Sequence, residues 1–217
     1  MPGETGPVAA RIGVGPDNAF ENTCALLGGD RAISAVVIVG FAGGLEPGLQ
    51  PGSVVVGETV RDLLTERTYA AESRLCAAAA EVNPPNFRTV RGLVVSSERV
   101  LTLSVEKHGL VSGTKAVAVD MESAAAAAAA TEFGVPWLAV RVITDGVDDD
   151  LPFDFNAQSF QAHGDPYGGV DRGRIVADAL LHPWKIPALI RLGMRSSLAS
   201  RNLAAFLHAL LPRIRDL

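Results

Sequence analysis

The stretch AVAVDMESAAAAAAATEFGVPWLAVRVITDG, residues 116–146, decides the fold, because an alanine run separates two apolar runs. The first apolar run, 116–121, is small and β-branched, as a buried strand is, and the second, 136–146, has the same character. Alanine has the highest helix propensity, so the middle run predicts a helix that packs closely on a sheet. The stretch therefore predicts a β-α-β unit.

Apolar and helical segments alternate along the rest of the chain. Further strands are predicted at 8–15, 35–41, 53–60 and 91–97. Further helices are predicted at 18–27, with Asp17 or Asn18 as its cap, and at 70–82, 174–181, 186–193 and 198–211. The Gly- and Asp-rich stretch 153–173 predicts a long loop over the sheet. This order predicts an α/β fold, a three-layer α/β/α sandwich with a mixed, mostly parallel central sheet, in one domain over 1–217 with a helical tail, 171–217.

Composition and charge exclude several classes of function. The net charge is −5 and there is no Lys- or Arg-rich run, which argues against nucleic acid as a partner. The 2 cysteines, Cys24 and Cys76, lack the spacing of a metal or redox site. Neither a signal peptide nor an apolar run long enough to span a membrane is recognisable. We therefore predict a soluble cytoplasmic protein without a metal.

Two carboxylates follow the strands of the β-α-β unit. Glu122 lies between the strand and the alanine helix, at a strand end where open α/β sheets bind ligands. An anion in the first turn of a helix is also common for purely electrostatic reasons. Asp145 would emerge at the same sheet end if the two strands are parallel, and a half-buried Asp can keep its proton and act as an acid. A turn Asp before Gly146 is the simpler interpretation of that residue alone.

Two glycine-rich turns and one acidic run are further candidates. The turn GVGPDNA, 13–19, precedes a predicted helix, but Asn18 stands where a dinucleotide site has its third glycine, so a tight turn is favoured. The turn GFAGGL, 40–45, follows the clearest strand; either its small residues let a ligand approach the backbone or it is a plain turn. The acids 148–150 are interpreted as a solvated loop, because no further ligand stands at metal-binding spacing.

Taken together, these segments resemble the nucleoside phosphorylase and nucleosidase superfamily. The resemblance covers about Val8 to Asp149. Within the superfamily, the chain is more similar to methylthioadenosine/S-adenosylhomocysteine nucleosidases than to hexameric phosphorylases. Its segments are GVGPDNA (13–19), VGFAGGLEPGLQPGSVVV (39–56), RGLVVSSERVL (91–101), AVDMESAA (118–125) and VRVITDGVDD (140–149). The tail segment HPWKIPALIRLG (182–193) resembles hopanoid-associated phosphorylases, which remove adenine from adenosylhopane.

The resemblance implies a role for seven residues. Asp145 would give or share a proton with purine N7, as the catalytic acid. Glu122 would accept hydrogen bonds from the ribose 2′- and 3′-hydroxyls, and Met121 would pack on the sugar. Four further residues would lie under the sugar or line the base pocket: Ala42, Gly43, Val100 and Leu101. No cofactor is implied, apart from phosphate as co-substrate if the reaction is phosphorolysis.

The chain departs from this family's pattern in two places. Nucleosidases of the family carry a water-activating Glu on an earlier strand, but only MPGETGP precedes the first predicted strand, so that strand and residue are expected to be absent or the start misassigned. Hexameric phosphorylases hold phosphate with an Arg before the glycine loop. Here Ile38 and Val39 occupy that place, and Phe41 stands where a Ser is common, which weakens phosphorolysis more than hydrolysis.

Three hypotheses follow for the function. The first is an enzyme that cleaves the N-glycosidic bond of an adenosyl-type purine nucleoside by hydrolysis or phosphorolysis, adenosylhopane among its candidate substrates. The second is a catalytically impaired nucleoside-binding protein on the same fold. The third, a dinucleotide-dependent oxidoreductase, is disfavoured by the missing third glycine. The resemblance also implies a homo-oligomer, a dimer or larger.

Overall fold

The computed structural model describes residues 6–157, 167 and 171–215. The strands are β1 (Val36–Gly44), β2 (Val54–Asp62), β3 (Thr68–Ala70), β4 (Thr89–Ser96), β5 (Ala118–Asp120) and β6 (Trp137–Asp145). The helices are α1 (Pro16–Leu27), α2 (Ser73–Ala80), α3 (Ser104–Thr114), α4 (Ser123–Glu132), α5 (Arg172–Leu181) and α6 (Ile186–Arg215), with a 3-10 turn at Pro183–Lys185. No helix of the described segments is long and apolar enough to cross a membrane.

The six strands form one mixed sheet in the order β3-β2-β4-β5-β1-β6. Neighbours pair in parallel at β1–β6, β2–β4 and β4–β5, and antiparallel at β1–β5 and β2–β3. Strand β2 also pairs antiparallel with β6, so the sheet curls until five strands close into a ring. The β2–β6 pairing joins segments far apart in sequence, which the sequence pattern does not reveal.

Helices cover both faces of this sheet, as predicted. The alanines of α4 pack on one face against β1, β2 and β6, and α1 packs on α4. Helices α2 and α6 cover the other face. Side chains alternate along β2 accordingly: Val55 lies in the first cluster, whereas Val54 and Val56 lie in the second. The α/β sandwich with a mixed central sheet is therefore confirmed.

The predicted strand at 8–15 is wrong. Residues 7–13 have no regular secondary structure and are mostly exposed, because their backbone finds no neighbouring strand to pair with. The N–H of Val14 instead donates to the carbonyl of Tyr167 at 2.7 Å. The predicted cap is wrong too: α1 begins at Pro16, a residue that suits the first helical position, with Gly15 as N-cap.

The tail differs from the prediction in its continuity. The two helices predicted at 186–193 and 198–211 are one helix, α6, which continues through Gly193. Glycine costs about 1 kcal/mol in a helix, and the burial of Ala199, Phe206 and Leu210 against the sheet outweighs that cost. Strand β3 and helix α3 were not predicted. Of the predicted loop 153–173, residues 158–166 and 168–170 lie outside the described residues.

Candidate active site

A cavity of about 260 Å3 opens where β1, β4, β5 and β6 end. All seven predicted site residues line it. The register of the sheet explains their convergence: Gly43 of β1 pairs with Val119 of β5 on one side and with Asp145 of β6 on the other. Because β5 runs antiparallel to β1, the residues after Val119 lie beside Ala42. The parallel arrangement assumed for the strands of Glu122 and Asp145 is therefore wrong, yet both side chains reach one cavity.

Asp145 is buried in the wall of the cavity. Its Oδ1 accepts a hydrogen bond of 2.7 Å from the Thr144 hydroxyl, and its Oδ2 accepts one of 2.5 Å from Lys107 Nζ. A Cβ atom added at Gly43 would lie 3.3 Å from Oδ2, closer than most side-chain contacts. Gly43 therefore makes room for this carboxylate, which is a physical reason for a glycine at that position.

Lys107 is the site residue that the sequence interpretation missed. It lies on α3, its side chain is fully buried, and Nζ donates to three oxygens: Asp145 Oδ2, the Gly146 carbonyl at 3.0 Å and the Asp149 carbonyl at 2.8 Å. Helix α3 carries Val105, Gly109 and other weak helix formers, so its pattern gives little signal. Because α3 is not predicted from the sequence, the sequence alone does not place Lys107 at the end of β6.

The loop after β6 holds α3 in position. The Asp150 carboxylate accepts a 2.7 Å hydrogen bond from Ser104 N, at the start of α3. Burial alone would raise the pKa of Asp149, but the hydrogen bond from Gly146 N and the contact with Arg195 hold that pKa below its ordinary value. The acids at 149 and 150 thus bind protein groups. No cluster of three or more metal-ligating side chains occurs in the described residues.

Glu122 faces the cavity from the N-cap of α4. Its Oε1 accepts a 2.9 Å hydrogen bond from Gly15 N, in the glycine turn before α1. Gly13 and Gly15 both have positive φ, 92° and 86°, a conformation that glycine adopts without strain. Burial and the neighbouring Asp120 charge raise the pKa of Glu122, although Arg141 and the Gly15 N–H oppose them. The turn at 13–19 is therefore a support for this carboxylate.

We expect Glu122→Gln to raise the melting temperature at neutral pH. Because the pKa of Glu122 is raised on folding, its stabilising contribution is fully present below the ordinary value of 4.5 and is lost as pH rises through the folded-state pKa. Above that range the raised pKa costs stability, and the amide removes that cost while its oxygen can still accept from Gly15 N. Each kcal/mol relieved corresponds to roughly 2–4 °C. A melting-temperature difference that fails to shrink as the pH approaches 4.5 would contradict the explanation.

A buried ion pair between Asp120 and Arg141 lies close to Glu122. Arg141 Nε lies 2.6 Å from Asp120 Oδ2 and directs its hydrogen to the Ser123 hydroxyl at 2.8 Å. Asp120 Oδ1 accepts a 2.6 Å hydrogen bond from the Ser96 hydroxyl. A Cβ at Gly40 would collide with the Arg141 guanidinium. This network ties β5, β6 and α4 together, so Asp120 has a structural role and Arg141 is a second residue that the sequence interpretation missed.

The sequence of the chain also matches a known protein family. The sequence profile described as the Phosphorylase superfamily matches residues 3–165. The chain belongs to the phosphorylase superfamily. The match includes every predicted site residue and also Lys107 and Arg141. The family named from the sequence segments is therefore confirmed.

Relatives of this superfamily member include nucleosidases. A 5′-methylthioadenosine/S-adenosylhomocysteine nucleosidase of an Exiguobacterium species is 29% identical over 168 residues, which cover 69% of this chain and 71% of the relative. The solved structure of such a nucleosidase from Neisseria meningitidis, with methylthio-immucillin-A, has a TM-score of 0.68 at 20% identity, over 95% of this chain and 79% of that one. The nucleosidase from Colwellia psychrerythraea, with adenine, has a TM-score of 0.56 at 27% identity, over 63% and 64%.

Proposed function

We propose that this protein hydrolyses the N-glycosidic bond of an adenosyl-type nucleoside and releases adenine. Cleavage of a purine nucleoside at this bond is supported by the superfamily match and by the nucleosidase relatives. The observation that carries the proposal is the convergence of a buried carboxylate, Asp145, and a partly buried one, Glu122, on one cavity. Hydrolysis, the adenosyl substrate and the residue roles are the parts that experiments must test.

The two carboxylates would act on opposite ends of the breaking bond. Cleavage of the bond builds positive charge on the sugar and negative charge on the departing base. Asp145, carrying a proton, would offset the charge at N7 of the base, and one positioned proton donor contributes about a hundredfold to ten-thousandfold. Glu122 would accept hydrogen bonds from the ribose hydroxyls, where its negative charge favours the cationic sugar.

Apolar side chains would form the rest of the binding site. Met121 lies on the same wall as Glu122 and would pack on the sugar. Val100 and Leu101 would face the base, and the amide of Asn156 holds both the N–H and the carbonyl of Val100, at 2.8 and 2.9 Å. A wall fixed in this way keeps its shape when no ligand is bound. Ala42 and Gly43 offer a floor without bulky side chains.

The charges around the cavity favour water over phosphate as the acceptor. Its lining within the described residues contains two cations, Lys107 and Arg99. All three donors of Lys107 are used, and Arg99 pairs with Glu106 at 2.5 Å. Lys107 therefore has no donor left for a phosphate dianion, and Arg99 already shares its charge with Glu106, whereas neutral water needs no such cation.

The substituent at the 5′ position is proposed to be apolar. Phe41, Leu151, Phe155 and Leu192 bring apolar side chains to the cavity from β1, the loop after β6 and α6. A methylthio group fits this character, and so does the hopane chain of adenosylhopane. We further propose that the protein acts in the cytoplasm as a homo-oligomer and needs no cofactor.

A binding protein without activity is the second candidate. Three carboxylates line the cavity among the described residues, and each already has a partner: Asp120 pairs with Arg141, Glu122 accepts from Gly15, and Asp145 pairs with Lys107. None of the three is therefore without a partner and available as a base for the attacking water. Measurable binding of adenosyl compounds with no base release from any of them would favour this candidate.

The test is a panel of nucleosides assayed for base release with and without phosphate. Methylthioadenosine, S-adenosylhomocysteine and adenosine share adenine and differ in the 5′ substituent, whereas inosine changes the base. The proposal expects adenine release in both buffers, fastest from the substrate with the apolar 5′ group. Release only with phosphate would contradict hydrolysis and would make the protein a phosphorylase.

We expect Glu122→Gln to lower kcat/KM by about tenfold or more, because charged acceptors bind hydroxyls more strongly than neutral ones. The loss should be smaller for a 2′-deoxynucleoside, which lacks one of the two hydroxyls. Steady-state kinetics on the ribo- and deoxyribonucleosides measure both losses. Equal losses on the two substrates, or an unchanged kcat/KM, would contradict the ribose-binding role.

A further inference from the structure

We propose that Lys107 is a positioning residue that acts through Asp145, pairing with this carboxyl group and holding it in the orientation from which it protonates the base. This inference rests on the proposed function, in which Asp145 is the proton donor. It adds a second residue, on a different helix, to the machinery that protonates the base.

The three contacts of Lys107 fix its charge. Three oxygens surround Nζ, at 2.5 Å from Asp145, 3.0 Å from Gly146 and 2.8 Å from Asp149. An ammonium group has three N–H donors and satisfies all three acceptors. A neutral amine has two donors and would turn its lone pair toward one of the oxygens. The geometry therefore requires Lys107 to be a cation.

The cation in turn requires a neighbouring anion. A fully buried ammonium group is costly unless an opposite charge compensates it. Asp145 supplies the carboxylate in contact with Nζ, whereas Asp149 offers only its carbonyl and directs its own carboxylate to Gly146 N and Arg195. Asp145 is thus the anion of a neutral pair, and its other oxygen accepts from the Thr144 hydroxyl.

The paired state determines when the proton arrives. An ionised Asp145 has no proton to give, so one proton must be taken up from water before the bond breaks. As the C1′–N9 bond breaks, its electron pair moves to the base and the proton passes from Asp145 to N7. Asp145 then returns to the carboxylate that pairs with Lys107, and the proton leaves with the base. Water forms the new C1′–O bond and releases one proton to the solvent, which balances the proton taken up.

The contact with Lys107 fixes the orientation of Asp145. Lys107 holds Oδ2 at 2.5 Å and the Thr144 hydroxyl holds Oδ1 at 2.7 Å, so the carboxyl group is fixed at both oxygens. Loss of the cation removes one of these two contacts, and a misplaced reacting group lowers the rate. Lys107 should therefore raise kcat/KM, and a substitution that keeps a cation at this position should keep most of that gain.

The experiment compares kcat/KM for adenine release by Lys107→Met and Lys107→Arg. We expect Lys107→Met to lower kcat/KM by about tenfold to a hundredfold. Lys107→Arg keeps the cation and should recover most of that loss. Lys115→Met is the matched control, because it removes an exposed lysine just after the same helix. A Lys107→Arg variant as slow as Lys107→Met, or an equal loss in Lys115→Met, would overturn the proposal.

A double-mutant cycle covers the case in which Lys107→Met folds poorly. The double variant Lys107→Met/Asp145→Asn removes both buried charges, so no unpaired charge remains. If Lys107 acts through Asp145, the double variant should be within about threefold of Asp145→Asn alone. Equal losses from Lys107→Met in both backgrounds would overturn the proposal. Full activity of Asp145→Asn would instead refute the proposed acid itself, whatever the Lys107 variants show.

Discussion

The Asp145→Asn variant will release base at least about a hundredfold more slowly than the wild-type protein while still binding nucleoside, because one donated proton contributes about that much or more. The carboxamide has nearly the shape of the carboxyl group and can accept from Lys107, but it cannot deliver a proton to N7. Chromatographic assay of released adenine gives the rate, and calorimetry with a non-hydrolysable nucleoside gives the affinity.

Asp148→Asn is the matched control for this variant. Asp148 lies three residues after Asp145, but it is 83% exposed and contacts His108 at the surface. The same change there should leave the rate within about twofold, since exposed pairs of this kind contribute little. Wild-type activity in Asp145→Asn, or an equal loss in both variants, would contradict the assignment of Asp145 as the acid.

The Arg141→Met variant should lose about 3–5 kcal/mol of unfolding free energy, because removal of one partner leaves a buried charge uncompensated. Asp120 would keep its Ser96 hydrogen bond but would lose the guanidinium 2.6 Å away. Urea denaturation, followed by circular dichroism at constant pH, measures the loss.

Arg91→Met provides the comparison for an exposed ion pair. Arg91 lies 3.3 Å from Glu58, with both side chains about half exposed, and its loss should cost no more than about 1 kcal/mol. If Arg141→Met were as mild as Arg91→Met, the network of Asp120 and Arg141 would not hold β5, β6 and α4 together in the way described.

The sequence predicts the parts of this fold that depend on local pattern. Strands β1, β2, β4 and β6 each contain a short apolar, β-branched run, and the alanines of α4 have both high helix propensity and small volume. The strand predicted at 8–15 has a similar pattern and forms no strand, because pairing also requires a neighbour. Pairing partners, unlike propensities, are distant in sequence.

The candidate site was predictable where a residue follows a strand. Asp145 and Glu122 were found because strand ends carry ligand sites in α/β sheets, although the direction assumed for β5 was wrong. Lys107 was missed because α3 has weak helix formers, and its contact with Asp145 joins residues 38 apart. Arg141 was missed because its partner, Asp120, lies at the end of β5. The sequence pattern does not reveal that β5 lies beside β1.

The most direct test of this account is the sugar product formed from 5′-methylthioadenosine in phosphate-free water enriched in heavy oxygen. Mass spectrometry identifies the sugar, and chromatography measures free adenine in the same sample. The account predicts equal amounts of adenine and of methylthioribose that carries one heavy oxygen from water. A nucleoside that remains intact in this sample and is cleaved only when phosphate is added, with a sugar phosphate as the product, would contradict it.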